Sequence, residues 1–201
     1  DSTITLYSEQ FDEAYHCAND GALQETLHKH ILPALMLKKE KQKLKVLDMC
    51  FGLGFNTLCL RYVARKFGFN GEISVYSPEI DSTLLPQLLT HPYPKELKSK
   101  EIIKALQERQ EYYENGFTIH LCLGDAREIL NGFLESENGV FDMIFQDPFS
   151  PLKNPSLWTY EYFKTLYALS SQDVIITTYS HHSCMLYSAY LAGFYAFKLQ
   201  Q

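Results

Sequence analysis

The chain has 201 residues, of which 46% are hydrophobic and 14% aromatic, and a formal net charge of −6. This length and apolar content describe a globular chain that can bury a sizeable core as one domain, and exclude a disordered or collagen-like one. The negative balance opposes non-specific attraction to nucleic acid, although Lys38, Lys39, Lys41, Lys43 and Lys45 form one basic run and Lys95, Lys98, Lys100 and Lys104 another. Such a run reads either as a solvated face or as a phosphate-binding patch. No apolar stretch reaches membrane-spanning length, and no signal-peptide pattern opens the chain. The five cysteines, Cys17, Cys50, Cys59, Cys122 and Cys184, are odd in number and lack CxxC spacing. That predicts free thiols in a reducing, cytoplasmic setting and no structural zinc.

In chain order, residues 1–43 are expected to form an N-terminal extension packed on the core, with Tyr7, Phe11, Tyr15 and a helix over about 23–35. From Leu44 onward strand-like and helix-like segments alternate. Residues 45–51 read as a short strand ending in glycines, and 56–67 carry Leu58, Leu60, Val63 and Ala64 at helical spacing. A second strand starts at Ile73 and ends near Glu79. Residues 82–115, with Pro86, Pro92 and Pro94, read as a long polar helical insertion. Further strands are predicted over 117–123, 140–145 and 174–179, helices over 156–169 and 182–192, and a strand-like tail over 194–199. Alternation of this kind predicts βαβ units: an α/β, Rossmann-like domain over 44–201, with a mostly parallel sheet and helices on both faces.

The first strand runs into Val46-Leu47-Asp48-Met49-Cys50-Phe51-Gly52-Leu53-Gly54-Phe55-Asn56-Thr57. A glycine turn between strand and helix lets a ligand approach the backbone. The nicotinamide pattern wants a third glycine where Thr57 stands, and the Walker pattern wants Gly-Lys-Ser/Thr where Gly54 meets Phe55-Asn56. An acid followed by a glycine cluster, Asp48 with Gly52, Gly54 and Asn56, suits S-adenosylmethionine instead. Glu79 at the end of the second strand is placed to accept from both ribose hydroxyls, with Asp81 as the alternate. Asp125, in Gly124-Asp125-Ala126-Arg127, is placed to accept from the adenine amino group, beside Ala126. Glu79 and Asp125 also read as caps of the following helices.

The fourth strand ends in Asp147-Pro148-Phe149-Ser150-Pro151-Leu152-Lys153-Asn154-Pro155. Its prolines stiffen the backbone, and a carboxylate on a rigid turn at the carboxyl end of a strand lies where open α/β sheets bind ligands. Asp-Pro-Pro-Tyr and Asn-Pro-Pro-Tyr turns occur in methyltransferases acting on amino groups, and Asp147-Pro148-Phe149 resembles a variant. Asp147 is the candidate to accept hydrogen bonds from an amine and help take its proton, next to the cofactor. Pro148 would fix the turn and Phe149 would form an apolar wall. Lys153 reads as a phosphate contact or a surface lysine, and Trp158 as a core anchor or a stacking platform. His181 and His182 read as loop or cap residues, without a metal.

Asp48 to Asn56, Gly124-Asp125-Ala126, the stretch from Asp147 to Trp158, Thr177-Thr178-Tyr179-Ser180 and the entry segment from Phe11 to Thr26 together resemble the methyltransferase domain of the MnmC family, over nearly the whole chain. The resemblance implies a class I S-adenosylmethionine-dependent methyltransferase that converts 5-aminomethyl-2-thiouridine to its 5-methylaminomethyl form at the tRNA wobble position. It also implies that Tyr15, Glu25 and Thr26 close over the methionine end of the cofactor. Relatives either fuse this domain to a flavin-dependent oxidase or carry it alone. The present sequence lacks the oxidase fingerprint, so the stand-alone type is expected, with tRNA as partner and a separate oxidase as a candidate second one. Cys50 departs from the glycine usual in the family, and Met185-Leu186-Tyr187 lacks an arginine pair that many relatives carry. Two other readings stay open: a methyltransferase of a small-molecule or protein amine, and a catalytically silent cofactor- or tRNA-binding module, which would not need Asp147.

Overall fold

The computed structural model describes residues 1, 3–16, 21–136 and 140–199. A short antiparallel hairpin, β1 (Tyr7–Ser8) and β2 (Glu13–Ala14), comes first. A three-part helix follows: α1 (Ala22–Thr26), a π-helical turn over Leu27–Ile31, and α2 (Leu32–Lys38). Then come β3 (Lys43–Met49), α3 (Phe55–Lys66), β4 (Glu72–Glu79), α4 (Leu84–Leu88), α5 (Ser99–Arg109), β5 (Glu111–Glu114) and β6 (Phe117–Leu123). The chain continues with α6 (Ala126–Leu134), β7 (Phe141–Gln146), α7 (Tyr160–Ala168), β8 (Ser170–Thr178) and α8 (Ser183–Ala192).

Six strands form one sheet in the order β5-β6-β4-β3-β7-β8, parallel throughout except for the antiparallel pair β5–β6. β3 lies at the centre, and Val46, Leu47, Asp48 and Met49 are all buried, as expected for a strand covered on both faces. Alternate residues of the strands feed two cores. Val46, Val75, Ile119 and Phe145 pack with Ile31, Leu35, Leu58 and Ile103 on one side. Leu47, Met49 and Ile144 pack with Leu130 of α6, Phe163 and Leu166 of α7 and Met185 of α8 on the other. From β3 the chain steps outward through β4 to β6, then returns to β7 beside β3. The loops after β3 and β7 therefore meet at the carboxyl end of the sheet, where the strand order reverses and open sheets open a crevice. Among the described residues no helix is long and apolar enough to cross a membrane.

Three predicted elements differ. The insertion over 82–115 is not helical throughout: its last residues form β5, an edge strand that Arg61 of α3 ties down through Glu114, with Nε 3.0 Å from Oε2. The predicted helix over 156–169 begins as a 3-10 turn over Pro155–Leu157, and α7 starts only at Tyr160, capped by Thr159. Residues 194–199 pair with no strand: Phe194 packs on Phe163 and Tyr167, while Tyr195 and Phe197 are exposed, so the alternating apolar pattern finds no ladder partner. Of the cysteines, Cys50, Cys59, Cys122 and Cys184 are free thiols, and Cys17 lies outside the described residues.

Arg61 is buried, so losing its counter-ion leaves a desolvated charge behind. Glu114→Ala should lower stability by about 2 kcal/mol, between the values for surface and fully buried pairs, because Glu114 is itself part-exposed. In urea unfolding the midpoint should fall with an unchanged slope; an unmoved midpoint would show that the pair contributes nothing.

Candidate active site

A cavity of about 500 Å³ opens at the carboxyl ends of β3, β4, β6 and β7. That size suits a small organic ligand. Its wall carries six carboxylates, from Glu13, Glu25, Glu79, Asp81, Asp125 and Asp147, against the basic side chains of Arg127 and His16. Arg127 is itself paired with Asp125, Nη2 to Oδ2 at 2.7 Å. The cavity therefore favours a cationic ligand and repels a pyrophosphate.

Each acid is held by its local backbone. Glu79 accepts from the backbone N–H groups of Gly52 and Asp81, both at 2.8 Å, which bridges the loops after β3 and β4. Burial pushes its carboxyl up, against the opposing effect of these donors. Asp125 caps α6, its Oδ1 accepting from Arg127 N at 2.8 Å. The capping reading thus applies to Asp125, which still lines the cavity with Ala126. Tyr15 also lines it, and burial, helped by Glu79 and Asp81, lifts its phenol to about 12.

The glycine loop is placed differently from expectation. Gly52 and Gly54 have φ of 52° and 75°, but a Cβ on Gly52 would meet the Tyr15 ring at 3.1 Å and one on Gly54 the Phe51 ring at 2.7 Å. Neither glycine lines the cavity; the close approach they permit is made by aromatic rings. Cys50, which does line it, has φ of 68°, a left-handed conformation that costs an L-residue about 1–2 kcal/mol and that glycine adopts freely.

Asp147 follows β7, and its two oxygens are held from different sides. Asn56 Nδ2 donates to Oδ2 at 2.9 Å, and Asn56 Oδ1 in turn accepts from Thr26 Oγ1 at 3.2 Å. His30 Nε2 lies 3.5 Å from Oδ1, an ion-pair distance without an aligned hydrogen bond. Burial alone would raise the Asp147 carboxyl, but His30, His16 and Asn56 outweigh it and hold the group below the usual carboxylate range. Asn56 and Thr26, expected to touch the cofactor, are buried behind Asp147 and do not line the cavity.

The Asp-Pro-Phe turn is fastened at two of its carbonyls. Tyr179 Oη donates to Pro148 O at 2.9 Å and Trp158 Nε1 to Phe149 O, also at 2.9 Å. Gln146, fully buried, donates to Leu157 O and accepts from Tyr162 Oη. Trp158 is thus a core anchor: at 3% exposure it has no face for a stacked base. From the hairpin side, Glu13 Oε2 accepts from Ser150 N and Oγ, and Asp12 pairs with Lys153. The Lys153 ammonium is therefore engaged with an acid. Phe149 stacks on Phe11 at 4.7 Å and tilts against Tyr15 at 5.1 Å, making an aromatic wall. His182 caps α8, accepting from Cys184 N through Nδ1.

Sequence reasoning overlooked His30, His16, Thr177 and Tyr179 as site residues. A signal existed for His30, which falls with Leu23, Leu27, Ile31 and Ala34 on the apolar face of the predicted helix. The π-helical turn over Leu27–Ile31 that carries it is a rare form, frequent at functional sites.

Asp48, also expected at the cofactor, is fully buried under α3 and outside the cavity wall. Its Oδ2 accepts from Thr57 Oγ1 at 2.6 Å, while Oδ1 has no hydrogen-bond partner among the described residues. Burial raises its carboxyl to about 7. An acid whose folded pKa is raised binds more protons folded than unfolded, so its contribution is present below the unfolded pKa and is lost as pH rises through the folded one. Wild-type protein should lose up to about 4 kcal/mol from this group between about pH 4 and 7. Asp48→Asn, which stays neutral, should remove that slope, so its urea stability should overtake wild type as pH rises. Parallel stability curves for the two proteins would refute the assignment.

A sequence profile for a family described as S-adenosyl-L-methionine-dependent methyltransferase matches residues 90–199. The chain is 30% identical to an uncharacterised protein of Methanocaldococcus jannaschii, an alignment covering 90% of this chain and 48% of that one. It is 25% identical to the tRNA 5-methylaminomethyl-2-thiouridine biosynthesis bifunctional protein MnmC of Pseudoalteromonas atlantica, over 88% of this chain and 27% of the relative. The crystal structure of MnmC2 from Aquifex aeolicus superposes with a TM-score of 0.78 at 30% identity, covering 95% of this chain and 61% of that one. The chain thus spans about half or less of the length of these curated relatives. With more than half of its residues matched by the profile and its fold shared with MnmC2, the chain belongs to the S-adenosyl-L-methionine-dependent methyltransferase family, in its MnmC-like branch.

Proposed function

We propose that this chain is an S-adenosylmethionine-dependent N-methyltransferase that converts 5-aminomethyl-2-thiouridine to 5-methylaminomethyl-2-thiouridine at the tRNA wobble position. The observation that carries the reading is Asp147: a carboxylate in the wall of an acid-rich cavity, its pKa lowered by its neighbours, on a turn whose Pro148 and Phe149 carbonyls are tied down. The acceptor follows the similarity to MnmC, a tRNA 5-methylaminomethyl-2-thiouridine biosynthesis protein.

The residues present fit the cofactor. A cationic nucleoside suits six carboxylates, and Glu79 presents a buried acceptor where the β3 and β4 loops meet. When bound, S-adenosylmethionine supplies an electrophilic methyl group on a cationic sulfur. Glu79 would hold the ribose hydroxyls, Asp125 and Ala126 the adenine, and Tyr15 and Glu25 the methionine end. Asp147 would accept a hydrogen bond from the acceptor amine and aim its lone pair. A fixed anion beside the acceptor nitrogen would stabilise the positive charge that the nitrogen gains on accepting a methyl group. A carboxyl held below its usual range is a weak resting place for a proton. Asp147 therefore acts by orientation and charge, and the proton leaves to solvent. Phe149, between Phe11 and Tyr15, would keep water from the reacting nitrogen.

A second reading, methyl transfer to a small-molecule or protein amine, draws support from the lysines. Lys38, Lys41 and Lys43 are paired with Asp173, Asp142 and Glu72 at the amino ends of the strands, away from the cavity. The run beginning at Lys95 follows Tyr93, whose Oη donates at 2.7 Å to Leu53 O in the loop after β3. Under the tRNA reading that run would meet the phosphates, with the oxidase a separate partner.

Calorimetry should show S-adenosylmethionine binding and no heat with nicotinamide dinucleotides. Glu79→Ala should weaken the former by about 1–3 kcal/mol, the scale for removing a charged acceptor from buried hydroxyls. Unchanged affinity would shift the ribose to Asp81. Single-turnover transfer of labelled methyl to undermodified tRNA tests the chemistry. Asp147→Ala should lower it by about 10²-fold or more while cofactor affinity holds. Asp147→Asn, which keeps an acceptor but loses the charge, should fall nearly as far. Near-wild-type transfer by Asp147→Ala would make the turn structural, and a wild type that methylates only small amines would support the second reading.

A further inference from the structure

The mechanism above uses Asp147 but leaves unexplained a fully buried histidine behind it. His30 has no solvent exposure, and its Nε2 has no hydrogen-bond partner among the described residues while lying 3.5 Å from Asp147 Oδ1. On the other edge of the ring, Nδ1 is 3.0 Å from Thr177 Oγ1 on β8. Burying an imidazole with a nitrogen left unpaired costs stability unless the arrangement does something. The proton can be located: a lone pair on Nε2 would face a carboxylate oxygen and be repelled. Nε2 therefore carries the proton, and Nδ1 accepts from the Thr177 hydroxyl.

We propose that His30 is a positioning residue for methyl transfer: with Thr177 behind it, it forms one of two arms that hold the Asp147 carboxylate in place, the other being Asn56 with Thr26 behind it. The inference rests on the reading of Asp147 as the group that orients the acceptor amine. The two arms are alike in construction. In each, a threonine hydroxyl fixes the middle side chain, Thr177 on His30 and Thr26 on Asn56, and the middle side chain presents an N–H to one oxygen of Asp147. Two donors on different oxygens set the plane of the carboxylate, which one donor cannot do. The arms also bring the extension into the catalytic site. Thr26 and His30 belong to the helix before the first sheet strand, whereas Thr177 and Asp147 sit at the ends of the last two strands.

In transfer itself, the amine nitrogen's lone pair forms the bond to the methyl carbon, the carbon–sulfur bond breaks, and its electron pair stays on sulfur. His30 touches none of these atoms. It neither gains nor loses a proton in the step; its effect passes wholly through Asp147. The other titratable groups near Asp147 are His16 from the segment after β2, Asp48 on β3, Cys50 in the following loop and Tyr179 after β8. None of these lies between His30 and Asp147 in the contacts described above.

The test uses His30→Phe, which keeps ring volume and removes both nitrogens, His30→Gln, which returns one N–H near the position of Nε2, and Thr177→Val. Single-turnover methyl transfer should fall by about 10²-fold in His30→Phe with cofactor affinity unchanged, and recover to within about tenfold of wild type in His30→Gln. In an Asp147→Asn background, His30→Phe should cost less than about threefold, because residues acting as one unit are non-additive. A readout independent of activity is the carboxyl titration of Asp147 followed by carbon NMR, whose midpoint should move up in His30→Phe and return toward wild type in His30→Gln. Wild-type-like transfer by His30→Phe, or a loss fully additive with Asp147→Asn, overturns the proposal. Should His30→Phe fail to fold, Thr177→Val decides by the same two measurements, with a smaller loss of the same kind expected and no change in either counting against it. If wild-type protein transfers no methyl to tRNA, the acceptor reading fails on its own, and an Asp147 midpoint that ignores His30 overturns the positioning role separately.

Discussion

A carboxylate withdrawn from most of its water stays an anion only where donors and dipoles replace that water, and Asp147 draws its replacements from three places outside its own strand. Asn56 comes from the start of α3, His30 from the π-helical turn, and His16 from the segment after the hairpin. None of these contacts exists in the sheet alone. The sheet brings the β3 and β7 loops side by side, and the N-terminal segment adds His30 and His16 to the Asn56 that donates to the carboxylate. The same segment clamps the Pro-rich turn through Glu13 and Asp12 and walls it with Phe11 and Tyr15.

This arrangement separates rigidity from charge. Rigidity comes from aromatic donors on backbone carbonyls, Tyr179 on Pro148 and Trp158 on Phe149, and from Gln146 locking the end of β7 to α7. Charge comes from a cavity wall in which carboxylates outnumber bases. A wall of that sign draws cations into the cavity and leaves any polyanionic ligand to find its phosphate contacts outside it.

Much of the sheet is legible in the residues, because a central parallel strand such as Val46 to Met49 must be apolar on both faces. β5 is not, since Glu111-Tyr112-Tyr113-Glu114 is short and polar, and becomes a strand only by pairing with β6 and salt-bridging to Arg61. The site is legible where a motif carries it, at Asp147, Pro148, Phe149, Glu79 and Asp125, all of which line the cavity. Asn56, Thr26, Asp48 and Trp158, expected at the site from their motifs, are buried and do not line the cavity, a depth that a linear motif does not encode. His30 escapes a motif reading altogether: its partner on β8 is 147 residues away, and such contacts are decided by packing.

The central claim is that Asp147 faces the reacting centre of a bound cofactor whose ribose rests on Glu79. A crystal structure of this protein with S-adenosylhomocysteine bound tests it most directly. The account predicts the ribose hydroxyls on the Glu79 carboxylate, the sulfur turned toward the Asp147-Pro148-Phe149 turn, and His30 and Asn56 still holding Asp147. A nucleoside lodged elsewhere, or an Asp147 side chain swung away from both arms with the sulfur far from it, would contradict the account.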